Sequence, residues 1–260
     1  MIWTGLLAVA WMLPSSATAF ERSRDPDNFA CLWWDTREVE IVLNQVCSDD
    51  VAEANCVPAI RRALDVWNEP VCSDFQYLSA MSARTDVGFD QDDQDSNINL
   101  IIFIEDTASW RHTPSSIAIT TTTYDRQTGQ IVDTDVEFNG VNFTFSTSDS
   151  AVDRMDIENT LAHEAGHMLG LDHSSNPDAT MWGTAGPGEV NKRDLTDDDV
   201  DGLCHVYPAG EDLPACPGGP PPPDDGGCSA AGKPDSMLSL IGMAFLAYIS
   251  RRRRHVGVSG

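Results

Sequence analysis

Three histidines in one short segment constrain the fold of this chain more than any other sequence feature. The segment LAHEAGHMLGLDH runs from Leu161 to His173 and places His163 and His167 four residues apart. Side chains at positions i and i+4 of an α-helix lie one turn apart on the same face, so a helix here holds both imidazoles side by side. Gly170 can adopt the left-handed conformation that ends a helix, and the turn that follows brings His173 back toward the other two.

This spacing predicts a metal site. Three neutral imidazoles with one open position are typical of a catalytic zinc, and Glu164 follows the first histidine, where its carboxylate can reach a water on the metal. Leu161 and Ala165 are core positions about 200° around the helix from the histidines. We therefore expect the imidazoles to point away from the core and into a cleft. The alternative is a solvated helix that carries histidines by chance.

The hydrophobic pattern predicts an α+β domain with several strands and three helices. Four segments rich in apolar and β-branched residues are expected to be strands: 38–43, 98–104, 116–123 and 130–138. The turn sequence DRQTG at 125–129 joins the last two as a hairpin. A first helix is predicted over 57–67, with Pro58 in its first turn. The histidines lie on a central helix over 156–169, and Thr196 is expected to cap a closing helix.

The charge balance excludes some partners. The chain has 41 acidic and 16 basic residues, a formal net charge of −25. Such a surface repels nucleic acid, so we expect no nucleic-acid partner. We also expect the protein to be a monomer. The acidic segment TDVGFDQDDQDSN at 85–97 has neither a glycine at the sixth position of an EF-hand loop nor its terminal glutamate, and we interpret it as a solvated loop. Ca²⁺ binding by some of the carboxylates is left open.

Both ends of the chain have the character of targeting segments. Residues 1–19 combine an apolar run with an A-x-A pattern before Phe20, which predicts a secretory signal peptide; a buried N-terminal helix is the alternative. Residues 209–227 form a Pro/Gly-rich linker. Residues 228–260 hold a short apolar run and an arginine block, which predicts an attachment to a membrane. The folded domain is expected over 20–208, outside the cytoplasm.

The expected export determines how the cysteines are interpreted. Outside the cytoplasm cysteines oxidise in pairs, and six of the seven precede the C-terminal segment: Cys31, Cys47, Cys56, Cys72, Cys204 and Cys216. These suffice for three disulfides, and the sequence leaves their connectivity open. A zinc–thiolate site is the alternative, but no C-x-x-C spacing supports it. Cys228 is left without an assigned partner.

At this point the sequence resembles a known group of proteins. HEAGHMLGLDH resembles the long zinc-binding motif of the metzincins, and Ser174 after the third histidine is similar to the matrixins, the matrix metalloprotease family. Met181 in ATMW resembles the methionine turn of that family, and LTDDDVDGLCHVY resembles its C-terminal helix. The resemblance covers about residues 30–208. It implies a twisted mixed sheet with a first helix, a zinc-binding active-site helix and a C-terminal helix.

The resemblance also implies an activity and the residues that perform it. The chain would be a zinc-dependent endopeptidase acting on protein or peptide substrates. One catalytic Zn²⁺ would be bound by His163, His167 and His173. Glu164 would take a proton from the zinc-bound water and then pass it to the leaving amine, while Gly170 would turn the chain and Met181 would support the metal site without binding the metal.

Two further placements follow from the same resemblance. The substrate would pair as an added strand with an edge strand, around Ile117, Ala118 and Ile119. Residues 184–189 would border the pocket for the first residue after the scissile bond.

The sequence departs from animal matrixins in its regulatory and secondary metal features. Neither a pro-segment nor a thiol-bearing latency motif is recognisable, although Cys31 is an alternative zinc-blocking thiol. The segment that holds a structural zinc in animal relatives is not recognisable either, so we expect one zinc.

The C-terminal segment resembles the MYXO-CTERM sorting signal of myxobacterial surface proteins. That resemblance implies an export-and-anchor role for Cys228 and a location at the bacterial cell surface, at the outer membrane or outside the cell. A plain membrane anchor is the alternative.

Two other functions stay open at this stage. The chain could be a non-catalytic surface binding or adhesion module that retains the metzincin fold, or a zinc hydrolase of small non-peptide amides. Glu164 argues against the first, because a module without activity has no need of the base.

Overall fold

The computed structural model describes residues 19–213. The expected signal peptide, apart from Ala19, lies outside the described residues, as do most of the linker, Cys216, Cys228 and the C-terminal sorting segment. Among the described residues, no helix combines the length and the apolar character that a membrane crossing requires.

The described residues form three α-helices together with longer and very short strands. The helices are α1 (Glu53–Asn68), α2 (Ile157–Met168) and α3 (Asp197–Val206). The longer strands are β2 (Glu38–Asn44), β3 (Gln76–Ser82), β4 (Asn99–Ile104), β5 (Ala118–Tyr124) and β6 (Ile131–Asn139). The two-residue strands are β1 (Glu21–Arg22), β7 (Phe145–Ser146), β8 (Met155–Asp156) and β9 (Leu171–Asp172).

The five longer strands form one mixed sheet in the order β3-β2-β4-β6-β5. Neighbouring strands are parallel except β5 and β6, which form the predicted antiparallel hairpin. Gly129 has a positive φ of 76° in the connecting turn, and its amide donates to the carbonyl of Asp125 over 2.8 Å. The expected α+β class with a mixed sheet is confirmed, and β5 lies at one edge of the sheet. Strand β3 was not predicted, because QYLSAMS has no clear apolar alternation.

Helix α1 differs from its prediction at the N-terminal end. It begins at Glu53 rather than at residue 57, so Pro58 lies inside the helix and not in its first turn. Pro58 has no amide hydrogen to donate to the carbonyl one turn earlier. The early turn EANC carries no apolar periodicity that would predict it, and a disulfide from Cys56 to Cys47 ties it to the preceding loop.

The main hydrophobic core lies between the sheet and the helices. Its largest fully buried side chains include Trp67 on α1, Phe138 on β6 and Tyr207 after α3. A smaller apolar cluster covers the other face of the sheet and comprises Val42, Leu100, Ile102, Ile104, Trp110 and Ile119. Because β4 contributes to both clusters, its sequence is apolar on both faces, as NLIIFI indicates.

Helix α2 is surrounded by packing elements, and all of its residues are buried. Four aromatic side chains donate hydrogen bonds of 2.7–2.9 Å to carbonyls of α2 and to that of Leu169, namely Trp34, Trp67, Tyr77 and Tyr207. The two imidazoles on this helix, expected to face a cleft away from the core, are buried as well, at 2% and 3% exposed.

The carboxylate of Asp199 joins α3 to the loop that follows α2. It accepts hydrogen bonds from the amide and hydroxyl of Thr196, at 2.9 and 2.7 Å, in a capping box. It also accepts from the amides of Thr180 and Met181, at 2.8 and 3.0 Å. The Thr196 cap predicted from the sequence is confirmed, while the bonds from Asp199 to the Met181 loop were not foreseen.

Two disulfides among the described residues are Cys47–Cys56 and Cys72–Cys204. The second joins the loop after α1 to α3. Cys31 is also disulfide-bonded, so the alternative in which it is a free zinc-blocking thiol is wrong. These bonds also exclude a zinc–thiolate role for these five cysteines.

Strand β6 carries two acidic side chains that are almost fully buried. Asp135 accepts hydrogen bonds from the amides of Gly88 and Leu100. Asp133 is 2% exposed, and burial, with a smaller contribution from Asp135, raises its pKa to about 8. Because this value exceeds that of an unfolded aspartate, the folded chain holds more protons between about pH 4 and pH 8. Stability therefore falls as the pH rises through this range.

We predict that Asp133→Asn stabilises the protein relative to the parent, and more at pH 8 than at pH 5. The amide mimics the protonated acid, and the pH-dependent gain is expected to be at least about 1 kcal/mol. Urea unfolding at the two pH values measures it. Asp178→Asn, at an exposed aspartate, is the control, and an equal effect at both pH values would contradict the assignment.

We predict that Asp199→Ala lowers the free energy of unfolding by about 3 kcal/mol or more, because it leaves buried amides without an acceptor. The matched control is Asp197→Ala, at an exposed position in the same helical turn. Urea unfolding of both variants compares them, and equal losses would show that the buried carboxylate has no special role.

Candidate metal centre

Three imidazoles converge at the end of α2. His163 and His167 lie on the helix, His173 follows β9, and their candidate ligand atoms all lie within 4.8 Å of one another. The side chains on the helix are 2% and 3% exposed. The alternative of histidines on a solvated helix surface is therefore wrong.

Backbone hydrogen bonds orient two of the three rings. The Nδ1 of His163 lies 2.7 Å from the carbonyl oxygen of Thr180, and the Nδ1 of His167 lies 2.9 Å from that of Leu171. A carbonyl only accepts, so Nδ1 carries the proton in both rings and the Nε2 lone pair is free. Burial, and secondarily the neighbouring histidines, lower the pKa of His167 to about 3 and that of His163 well below its usual value.

The Nε2 atoms of the three rings are buried and have no hydrogen-bond partner among the described residues. Buried polar atoms are almost always paired in native proteins, and a cation would satisfy three ring nitrogens that lie within 4.8 Å of one another. Imidazole nitrogen is a preferred ligand of Zn²⁺, and a carbonyl on Nδ1 is the usual second contact of a zinc-bound histidine. His163, His167 and His173 therefore fit a zinc ion as a set.

Gly170 allows the third histidine to join the set. Its φ is +92°, and a Cβ at this position would stand 2.4 Å from the carbonyl oxygen of Leu32. Its amide donates to the carbonyl of His167 over 3.0 Å and closes the helix. Strand β9 then pairs antiparallel with β1, which directs the chain toward His173. The predicted role of Gly170 as helix terminator is what the backbone shows.

Met181 lies directly against the helix that carries the first two ligands. Its side chain is 1% exposed, and a Cβ at Gly166 would stand only 2.1 Å from its sulfur. Gly166 lies between His163 and His167 in the sequence, so the helix needs a residue without a side chain there. The sequence analysis did not identify Gly166, although a glycine inside a helix is unfavourable and signals close packing.

Glu164 is buried beside the histidines and is held by the sheet. Its Oε2 accepts a hydrogen bond of 2.6 Å from the hydroxyl of Thr120 on β5. Burial raises the pKa of Glu164 to about 7, and the bond from Thr120 limits the increase. Thr120 was missed by the sequence analysis, because only tertiary packing places β5 against α2.

A small pocket lies beside His163 and Glu164. Its lining comprises Ile117, Asn159, Thr160, His163, Glu164, Ala185 and Lys192. Of the three residues predicted on the substrate strand, Ile117 borders this pocket, while Ala118 and Ile119 are buried on β5. Of the predicted 184–189 border, Ala185 lines it. Lys192 was not predicted.

Comparisons with known proteins agree with this geometry. The sequence model of the Matrixin family matches residues 33–208. Metalloendoproteinase 2-MMP of Arabidopsis thaliana is 46% identical over 55 residues, which are 21% of this chain and 14% of that protein. Matrilysin of Homo sapiens is 44% identical over 45 residues, 17% of each chain. Neutrophil collagenase of Homo sapiens is 28% identical over 157 residues, 60% of this chain and 30% of that protein.

These alignments cover less than a third of each of the three relatives. The family match, in contrast, extends over more than half of this chain. It includes the helix with two of the histidines, the turn with the third, Met181 and α3. The chain belongs to the Matrixin family.

Proposed function

We propose that this chain is a zinc-dependent endopeptidase in which Glu164 moves the proton during peptide-bond hydrolysis. The observation that carries the proposal is the convergence of three partnerless Nε2 atoms beside a buried carboxylate and an open pocket. Family membership supports it. Zinc held by the three histidines would lower the pKa of a water molecule and polarise the carbonyl to be attacked.

The side chain of Glu164 is suited to accept and return a proton. Thr120 holds Oε2, and the hydrogen bonds among the described residues leave Oε1 for a water. The carboxylate takes a proton from the water molecule as the water oxygen attacks the carbonyl carbon of the peptide. It then gives that proton to the leaving nitrogen as the C–N bond breaks, so Glu164 ends in its starting form.

The sheet edge and the pocket together favour a peptide as substrate. Among the described residues no strand pairs with the outer side of β5, which leaves its backbone groups for an extended chain. A substrate that pairs as a strand with β5 near Ile117 would place one of its own side chains at the pocket. A small amide would gain nothing from the edge strand, and a binding module would gain nothing from Glu164.

We further propose that the enzyme is exported and tethered at or released from a bacterial surface. The disulfides support an oxidising compartment. From the sequence alone we also propose a signal peptide over 1–19, a linker over 209–227 and an anchoring role for Cys228. We propose in addition that the protein binds Ca²⁺, as the family normally does, and that it is a monomer.

We predict that Glu164→Gln in the zinc-loaded full chain retains zinc and loses at least about 10³-fold in kcat on an unfolded protein substrate. The amide keeps the shape of the side chain and cannot take the proton. Glu69→Gln, at an exposed glutamate on the end of α1, is the matched control and should match the parent.

Metal content and proteolysis of each variant are measured on the same sample. A Glu164→Gln variant that keeps zinc and stays nearly as active as the parent would exclude Glu164 as the proton carrier. A parent that holds zinc and cleaves no peptide would favour the binding-module alternative.

A further inference from the structure

Lys192 is a buried cation in a protein whose other described basic side chains are arginines and histidines. The sequence has two lysines, Lys192 and Lys233, and only the first lies among the described residues. It is in a short 3-10 helix, Asn191–Arg193, and is 3% exposed. Burying an ammonium group is costly unless an anion compensates its charge.

Lys192 forms no direct ion pair with a carboxylate among the described residues. Its Nζ donates to the carbonyl oxygen of Trp182, and Glu189, Glu164 and Asp199 act on its charge only from a distance. The contrast with the next residue is clear, because Arg193 pairs with Asp149 at 2.6 Å and Asp156 at 2.5 Å.

The nearest carboxylates already have other donors. Glu164 accepts from Thr120, and Glu189 accepts from the amide of Gly186 over 3.1 Å. Asp199 is bonded to α3 and the Met181 loop. An ammonium with one carbonyl contact therefore keeps two donors for another group.

The position of Lys192 indicates what that group is. Lys192 lines the pocket beside His163 and Glu164, together with the apolar residues Ile117 and Ala185. The amide of Lys192 donates to the Oδ1 of Asn159 on α2 over 2.8 Å. The backbone of Lys192 is thus fixed to the helix that carries the histidines, and the carbonyl of Trp182 holds its ammonium group.

We propose that Lys192 makes the enzyme prefer an acidic side chain, glutamate or aspartate, directly after the scissile bond. The aliphatic part of such a side chain would contact Ile117 and Ala185, and its carboxylate would pair with the ammonium. This inference rests on the proposed peptidase function and adds the substrate class. If Lys192 instead served only as a counter-ion for Glu164, its removal would slow all substrates equally.

The test uses the zinc-loaded full chain and two pairs of peptides, Glu against Gln and Asp against Asn after the scissile bond. The rest of each peptide is taken from a site that the parent cleaves in a peptide library. In the parent, kcat/KM for at least one acid should exceed that of its amide by about 10-fold or more, as expected for a charge-assisted hydrogen bond. In Lys192→Met this ratio should fall to about one.

Two further measurements keep the test independent of folding and of turnover. Lys192→Gln retains a donor without the charge, and its acid-to-amide ratio should also be near one; thermal melting and zinc content verify that each variant is folded. In nuclear magnetic resonance spectra, labelling lysine with ¹³C at Cε gives signals for two residues, Lys192 and Lys233. In the Glu164→Gln full chain, the acidic peptide should shift the Lys192 signal more than the amide peptide does.

The outcomes separate this inference from the function on which it rests. Cleavage by the parent with a ratio near one, or a ratio that survives in the folded Lys192 variants, overturns the acidic preference alone. Absence of cleavage of every peptide by the zinc-loaded parent overturns the proposed peptidase function and the inference with it.

Discussion

Two hydrogen bonds from histidine to the main chain determine the rest of the candidate centre. They fix the Nδ1 protons of His163 and His167 on the carbonyl oxygens of Thr180 and Leu171, and so leave the opposite nitrogens as lone pairs. Each carbonyl is held in turn. Asp199 binds the amide of Thr180, and the β1–β9 pairing holds the strand that contains Leu171. The fold thus holds two carbonyl groups where they can accept hydrogen bonds from two histidines of one helix.

The features of this arrangement that are unfavourable for the free energy of folding are concentrated around α2. The helix is buried, contains a glycine at Gly166, and presents ring nitrogens that no donor among the described residues satisfies. Aromatic donors to the carbonyls of α2, the disulfides and the two-sided core stabilise the fold in compensation. Unfavourable local features that cluster at one place, in a structure otherwise consistent with its sequence, are expected at functional sites.

The sequence predicted those features that depend on local spacing. The histidine trio, the Gly170 turn and the Thr196 cap each depend on a few neighbouring residues, and the structure brings them together as expected. The hairpin and the strong strand β4 were predicted for the same reason. The start of α1 was missed because its first turn lacks apolar periodicity, and burial of the imidazoles was missed because helical angles say nothing about what covers a face.

The features that the sequence could not predict are those made by tertiary contact. Thr120 meets Glu164 only because β5 packs beside α2, and Asp199 reaches the Met181 loop only after α3 has docked. Lys192 stands three residues beyond the segment predicted to border the pocket. Its burial without a carboxylate partner is evident only in three dimensions.

X-ray absorption at the zinc edge of the purified full chain tests the central claim most directly. The account predicts one zinc per chain with three nitrogen ligands at about 2.0–2.1 Å and a fourth ligand that is an oxygen from solvent. Absence of stoichiometric zinc, fewer than three imidazole nitrogens, or a sulfur in the ligand shell would contradict it.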